Sequence, residues 1–178
     1  GEKYALRQFD FSMNGGERVA LIGGNGTGKS TFLKALAGKL TACGTIDLSP
    51  RLKISYVPQI ALYEGTLADY AADYGIDEAY FKAILAKFGF SRRDFSRDMR
   101  EMSEGQKKKA ALARSLCERA HLYIWDEPLN YLDIASREQV EKAVLSSGAS
   151  LLFVEHDAAF TAAVATRTVK FLPPNVEN

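Results

Sequence analysis

Two hydrophobic periods take turns along this chain. In QFDFSM, Phe9, Phe11 and Met13 fall on one side of an alternating run, which predicts a half-buried strand ending at an Asn14-Gly15-Gly16 turn. ERVALIG reads as a buried strand running into a glycine-rich loop, and STFLKALAG as a helix stopped at Gly38. GTIDLS and LKISYVPQ predict two more short strands, parted by a Ser-Pro turn and forming a small antiparallel region.

From about residue 60 the period becomes helical. TLADYAADYG and DEAYFKAILAKFGF repeat apolar residues at helical spacing, the second with Asp77 as N-cap, and SRRDFSRDMREM is charged enough to predict a short helix or loop. Helices and buried strands then alternate: GQKKKAALARSLCERA, HLYIWDEP, ASREQVEKAVLSSG, SLLFVEHD, AAFTAAVA and RTVKFL. That alternation predicts an α/β fold, with a mostly parallel sheet flanked by helices. The expectation is one domain over residues 1–178, holding a helical subdomain at about 60–118, with no internal repeat or linker.

Composition narrows the function classes. The chain is 47% hydrophobic and 25% charged, as globular domains are, and its net charge of +1 gives no global attraction for nucleic acid. No DNA partner is expected, and any basic surface must be local. No apolar run approaches the roughly 18 residues of a membrane span, and no signal peptide is visible. Cys43 and Cys117 are far apart and in no metal or redox spacing, so they read as reduced thiols of a cytoplasmic protein. The abrupt opening on strand-like residues makes a fragment of a longer chain the expectation.

Several loops carry chemistry. GGNGTGKS, Gly23 to Ser30, fits G-x-x-x-x-G-K-[ST] between a predicted strand and a predicted helix. Its glycines let successive backbone N–H groups face a polyphosphate, and the helix N-terminus adds a favourable dipole. The candidate nucleotide-binding residues are Gly23, Asn25, Gly26, Thr27, Gly28, Lys29, Ser30 and Thr31. Lys29 would reach the β- and γ-phosphates and Ser30 would bind Mg²⁺. The alternative is a glycine-rich turn with a chance Lys-Ser.

HLYIWDEP ends in Asp126 and Glu127, where a parallel sheet gathers its ligands. Adjacent strand residues point apart, so Asp126 would support Mg²⁺ while Glu127 orients or deprotonates an attacking water. A solvated strand end is the bland alternative. FVEHD repeats the geometry and would bring His156 near the γ-phosphate, although a lone histidine is more often structural. Gln59 ends another strand and is a candidate to report Mg²⁺ occupancy to the helical insert. MSEGQKKK allows two readings: a solvated basic face, or a helix start that aims backbone N–H groups at phosphate.

In this order the pieces resemble the nucleotide-binding domain of the ATP-binding cassette (ABC) superfamily over essentially the whole chain. GGNGTGKS looks like Walker A, Gln59 the Q-loop, SEGQ the signature, LYIWD Walker B, Asp133 the D-loop and His156 the switch. The resemblance implies an ATPase with ATP and Mg²⁺ as cofactors, Lys29, Glu127 and His156 as catalytic residues, and Ser30, Gln59 and Asp126 around the metal. It also implies that Ser103, Glu104, Gly105 and Gln106 act in trans, on ATP held by a second cassette, so the isolated chain should have low activity. Glu104 stands where the family usually has glycine, and at least one of Lys107, Lys108 and Lys109 could offset its charge, the other two staying on a solvated face. Tyr4 is near the family's adenine-stacking position but out of register.

EPLNYLD looks like the ABC-F branch, which has two cassettes per chain, no membrane domains, and acts on ribosomes. SEGQKKK with WDEPLNYLD is similar to its antibiotic-resistance members, which protect the ribosome. About 30 residues separate Walker A from Gln59, too few for the extra helical arm of a first cassette, so the chain is most like a second, C-terminal one. The expected partners are a second cassette and, through the parent protein, the ribosome and its RNA. The alternatives are the ATPase subunit of a membrane transporter and a module that binds nucleotide without hydrolysis.

Overall fold

The computed structural model describes residues 9–41 and 44–171. Five strands form one sheet: β1 (Arg18–Ile22), β2 (Ile54–Val57), β3 (Leu122–Asp126), β4 (Ser150–Val154) and β5 (Arg167–Lys170). Their order is β2-β3-β4-β1-β5, and every neighbouring pair is parallel. The helices are α1 (Lys29–Leu36), α2 (Leu67–Asp73), α3 (Glu78–Lys87), α4 (Glu104–Cys117), α5 (Ile134–Ser147) and α6 (Ala158–Val164). This is the expected α/β architecture.

Both sheet faces are covered, which is why the strands read as nearly continuous apolar runs. On one face Val19, Leu21, Ile124, Leu152 and Val154 pack with Leu33 of α1 and with Phe171. On the other, Ala20, Val57, Trp125, Leu151 and Phe153 pack with α4, α5, α6 and the helical insert. Asp77 caps α3 as expected, its carboxylate accepting from Tyr80 N–H at 2.7 Å. Thr66 and Asp69 form a reciprocal capping box at the start of α2. Residues 92–101 take two short 3₁₀ turns, fastened to the insert where Met99 N–H donates to the Gly65 carbonyl. α4 packs against both α3 and β2, so it ties the insert to the sheet.

Two strand expectations need correction. Among the described residues there is no small antiparallel region: 45–49 take no strand, and β2 pairs in parallel with β3. Ile46 and Leu48 alternate correctly with Asp47 but remain 41% and 38% exposed, so the alternation does not mark a buried face here. The second correction concerns Phe9, Phe11 and Met13. They bury one face against Phe32 and Phe171, yet no strand forms over the described part of that segment. Alternation marked the buried side and not a hydrogen-bonded ladder. Tyr4 and Cys43 lie outside the described residues.

Candidate functional site

The carboxyl ends of β1, β3 and β4 converge on the loop before α1. Gly28 is the residue that starts this helix, with φ 96°, a left-handed conformation that a side chain would strain. At Gly23 a side chain would run into the Phe171 carbonyl that closes the loop against the end of β5. A cleft of about 530 Å³ follows, lined by Asn25, Gly26, Thr27, Gly28, Lys29, Ser30, Thr31, Gln59, Glu127 and His156. Ten of the sequence-predicted residues thus share one cavity.

Within it, the Lys29 ammonium donates to the carbonyls of Gly23 (2.9 Å) and Gly24 (2.7 Å), which holds its charge over the loop. Thr27 Oγ1 donates to the Gly24 carbonyl. Ser30 Oγ donates to Asp126 Oδ1 at 3.0 Å, joining loop and strand end. Asp126 is fully buried, and burial pushes its carboxyl above the usual carboxylate range. Its Oδ2 has no hydrogen-bond partner. An orphaned carboxylate oxygen beside a serine hydroxyl fits a divalent cation such as Mg²⁺. Among the described residues no three His, Cys, Asp or Glu side chains could hold a metal by themselves, so phosphate oxygens would have to complete its shell.

Glu127 lies at the centre of the other predicted residues. Its φ is 48°, uncommon for a residue with a side chain and a form of strain that recurs at functional sites. Glu127 Oε2 accepts from Gln59 Nε2 at 2.9 Å and from Asn130 Nδ2, and Oε1 lies 3.4 Å from His156 Nε2. The side chains sit on three different segments, so only the sheet brings them together.

The signature residues lie elsewhere. None of Ser103, Glu104, Gly105 and Gln106 lines the cleft. Ser103 and Gln106 form a capping box at the start of α4, so the motif also has a structural task. Asp133 caps α5 through Ser136 N–H at 2.9 Å and accepts from Lys109 at 2.6 Å. The solvated basic face is not found. Lys107 pairs with Glu104 at 2.9 Å, supplying the predicted charge offset, Lys109 joins Asp133 to the Phe88 carbonyl, and Lys108 is 1% exposed.

Three polar residues of this region were not singled out for the site from sequence: Asn130, Lys108 and Glu155. Glu155 is buried, and its carboxylate accepts from Leu129 N–H on one loop and from His156 and Asp157 N–H on another. Asn130 stands in EPLNYLD, where its sequence signal is that of a branch marker and not of a site residue, and Glu155 has no motif spacing of its own. Lys108 had no signal in its helical register, since Lys107, Lys108 and Lys109 each stand three and four residues before buried positions of α4.

The fold and the cleft define a phosphate-loop nucleotide-binding domain. Residues 6–130 match the family model described as ABC transporter. The chain belongs to this family, whose ATPase domains bind ATP, generally with Mg²⁺. It is 36% identical to the ATP-binding protein Uup of Caulobacter vibrioides, over 94% of this chain and 28% of that protein. It is 33% identical to the ribosome protection protein VmlR of Bacillus subtilis, over 90% of this chain and 30% of that one. A solved ATP-binding subunit of an ABC transporter superposes with TM-score 0.78 at 29% identity, covering 90% of this chain and 77% of that one. The chain spans between 28% and 34% of the length of the first curated relatives it matches. No helix among the described residues is long and apolar enough to cross a membrane.

Proposed function

We propose that this chain is the second cassette of an ABC-F protein, binding and hydrolysing ATP in a head-to-tail closure with a first cassette, and that the parent protects the ribosome from antibiotics. The observation that carries the ATPase part is the Glu127 carboxylate, gathered with Gln59, Asn130 and His156 at the mouth of the Lys29 loop. Lys29 and the loop N–H groups hold the β- and γ-phosphates. Ser30, Asp126 and Gln59 would hold Mg²⁺, which supplies charge neutralisation at those phosphates. Glu127 positions and deprotonates the attacking water, and His156 braces that carboxylate and the γ-phosphate. Ser103 and the Gly105 backbone face the ATP of the first cassette. The similarity to VmlR supports the ribosomal part, as do Asn130, Tyr131, Leu132 and Asp133 after Glu127.

A transporter subunit is the second reading, favoured by the likeness to a solved transporter ATPase over 77% of its chain. Co-sedimentation separates them. The full-length protein carrying Glu127→Gln is spun with ribosomes, and separately with membranes, with and without ATP. ATP-dependent pelleting with ribosomes alone is the expected result. Pelleting with membranes and not ribosomes would transfer the proposal to the transporter class.

A further inference from the structure

Gln59 and Glu127 act as a hydrogen-bonded pair, and their spacing needs a physical cause. Gln59 follows β2 and Glu127 follows β3, and both sit on turns beyond the last ladder pair, Val57 with Trp125. The β2–β3 ladder therefore does not fix Gln59 against Glu127, although the Glu127 N–H itself donates to the Val154 carbonyl of β4 at 2.9 Å. Beneath them lies Lys108, in the second turn of α4, 1% exposed. Its ammonium donates to the Pro58 carbonyl at 2.8 Å and to the Asp126 carbonyl at 3.2 Å. Pro58 and Asp126 are the residues immediately before Gln59 and Glu127. A single buried cation thus clamps the two peptide groups from which the paired side chains depart.

We propose that Lys108 is a positioning residue of the ATPase site: by joining the Pro58 and Asp126 carbonyls it holds the Gln59 amide against the Glu127 carboxylate and couples both to the signature helix. This rests on the ATPase reading of the cleft. A buried ammonium is costly unless its donors find acceptors, and the Pro58 and Asp126 carbonyls are the acceptors that Lys108 finds. Burial lowers its affinity for a proton, pushing its pKa down to about 8, while the charges of Asp126, Glu127 and Glu155 oppose that shift. Five residues separate Lys108 from Ser103 along one helix, about 7.5 Å at the helical rise. A tilt of α4 when the signature engages ATP in trans would move the clamp and with it the Gln59–Glu127 pair.

The test is made in the full-length protein with Lys108→Met, which removes donors and charge, and Lys108→Gln, which keeps an amide donor without charge. ATP turnover, KM, affinity for a fluorescent ATP analogue and melting temperature are read for both and for wild type. The expected result is nucleotide affinity and KM within about threefold of wild type, kcat lowered at least about tenfold in Lys108→Met, and partial recovery in Lys108→Gln. If Lys108→Met fails to fold, Lys108→Gln decides, with kcat falling while KM and nucleotide affinity hold. Unchanged kcat in a folded variant, or a loss that falls equally on nucleotide affinity, overturns the proposal. If wild type binds ATP and does not turn it over, the ATPase reading fails first and takes this inference with it.

Discussion

Gly105→Ala sets two effects of opposite sign against each other. Gly105 is in the first turn of α4, where alanine is the better helix former by up to about 1 kcal/mol. Helix propensity alone therefore predicts stabilisation. The packing predicts the reverse, because an added Cβ would lie 2.6 Å from the Tyr131 carbonyl oxygen. Ordinary contact begins near 3.4 Å, so the two backbones must part by about 0.8 Å. Neither side yields easily. Tyr131 is held at φ 65°, and two residues on Asp133 is bonded to Lys109 at 2.6 Å, so the clash would also pull on that pair. Overpacking of this kind costs about 1–3 kcal/mol, which leaves a net loss of about 1 kcal/mol. For a domain of this size that corresponds to a melting temperature lower by about 2–4 °C. Trp125, the single tryptophan and 1% exposed, reports unfolding of the chain by fluorescence. Gly15→Ala is the control, since nothing lies within 4 Å of a Cβ there. If Gly105→Ala melted at or above wild type, the close approach of signature helix and D-loop would be wrong.

Ser115→Ala should cost about 1–3 kcal/mol in urea unfolding, because it strands buried donors: Ser115 Oγ accepts from Trp125 Nε1 at 2.9 Å and pairs with Ser55 Oγ at 2.7 Å. A loss below about 0.3 kcal/mol would mean another partner replaces the hydroxyl. The Lys109 ammonium holds the Asp133 carboxyl well below the usual carboxylate range. A depressed folded-state pKa contributes stability above the unfolded value, lost as pH falls, so below about pH 4 wild type should lose melting temperature faster than Asp133→Asn. Parallel curves would remove that linkage. Burial pushes the Cys117 thiol up to about 11. Alkylation of its peptide at about pH 8, followed by mass spectrometry, should accelerate roughly a hundredfold on unfolding, since only the thiolate reacts; equal rates would place Cys117 in water.

The cleft was legible from sequence because its parts are local. In GGNGTGKS the spacing of glycines and Lys29 is covalent, and the strands before and the helix after it read from periodicity. Glu127 and His156 followed because the carboxyl ends of parallel strands lie on one edge. What sequence did not disclose depends on which backbone groups the fold stacks beneath that edge. In Lys107-Lys108-Lys109 residue type is uninformative, yet the three lysines make three different contacts. α4 is buried on every side from Ala110 to Ser115, and each of the three lysines stands three and four residues before buried positions, so helical register does not separate Lys108 from its two neighbours; the acceptors that the fold places beside each ammonium do. The failed antiparallel region teaches the converse. Ile46 and Leu48 have the right alternation but enter no ladder, and β2, the terminal strand of the sheet, pairs among the described residues only with β3. Periodicity says which side of a segment is apolar, and only the competition for edges and faces decides what that side meets. A charged residue on an apolar face is then the most informative case, because burial must be offset by specific acceptors, and those acceptors identify the groups it positions.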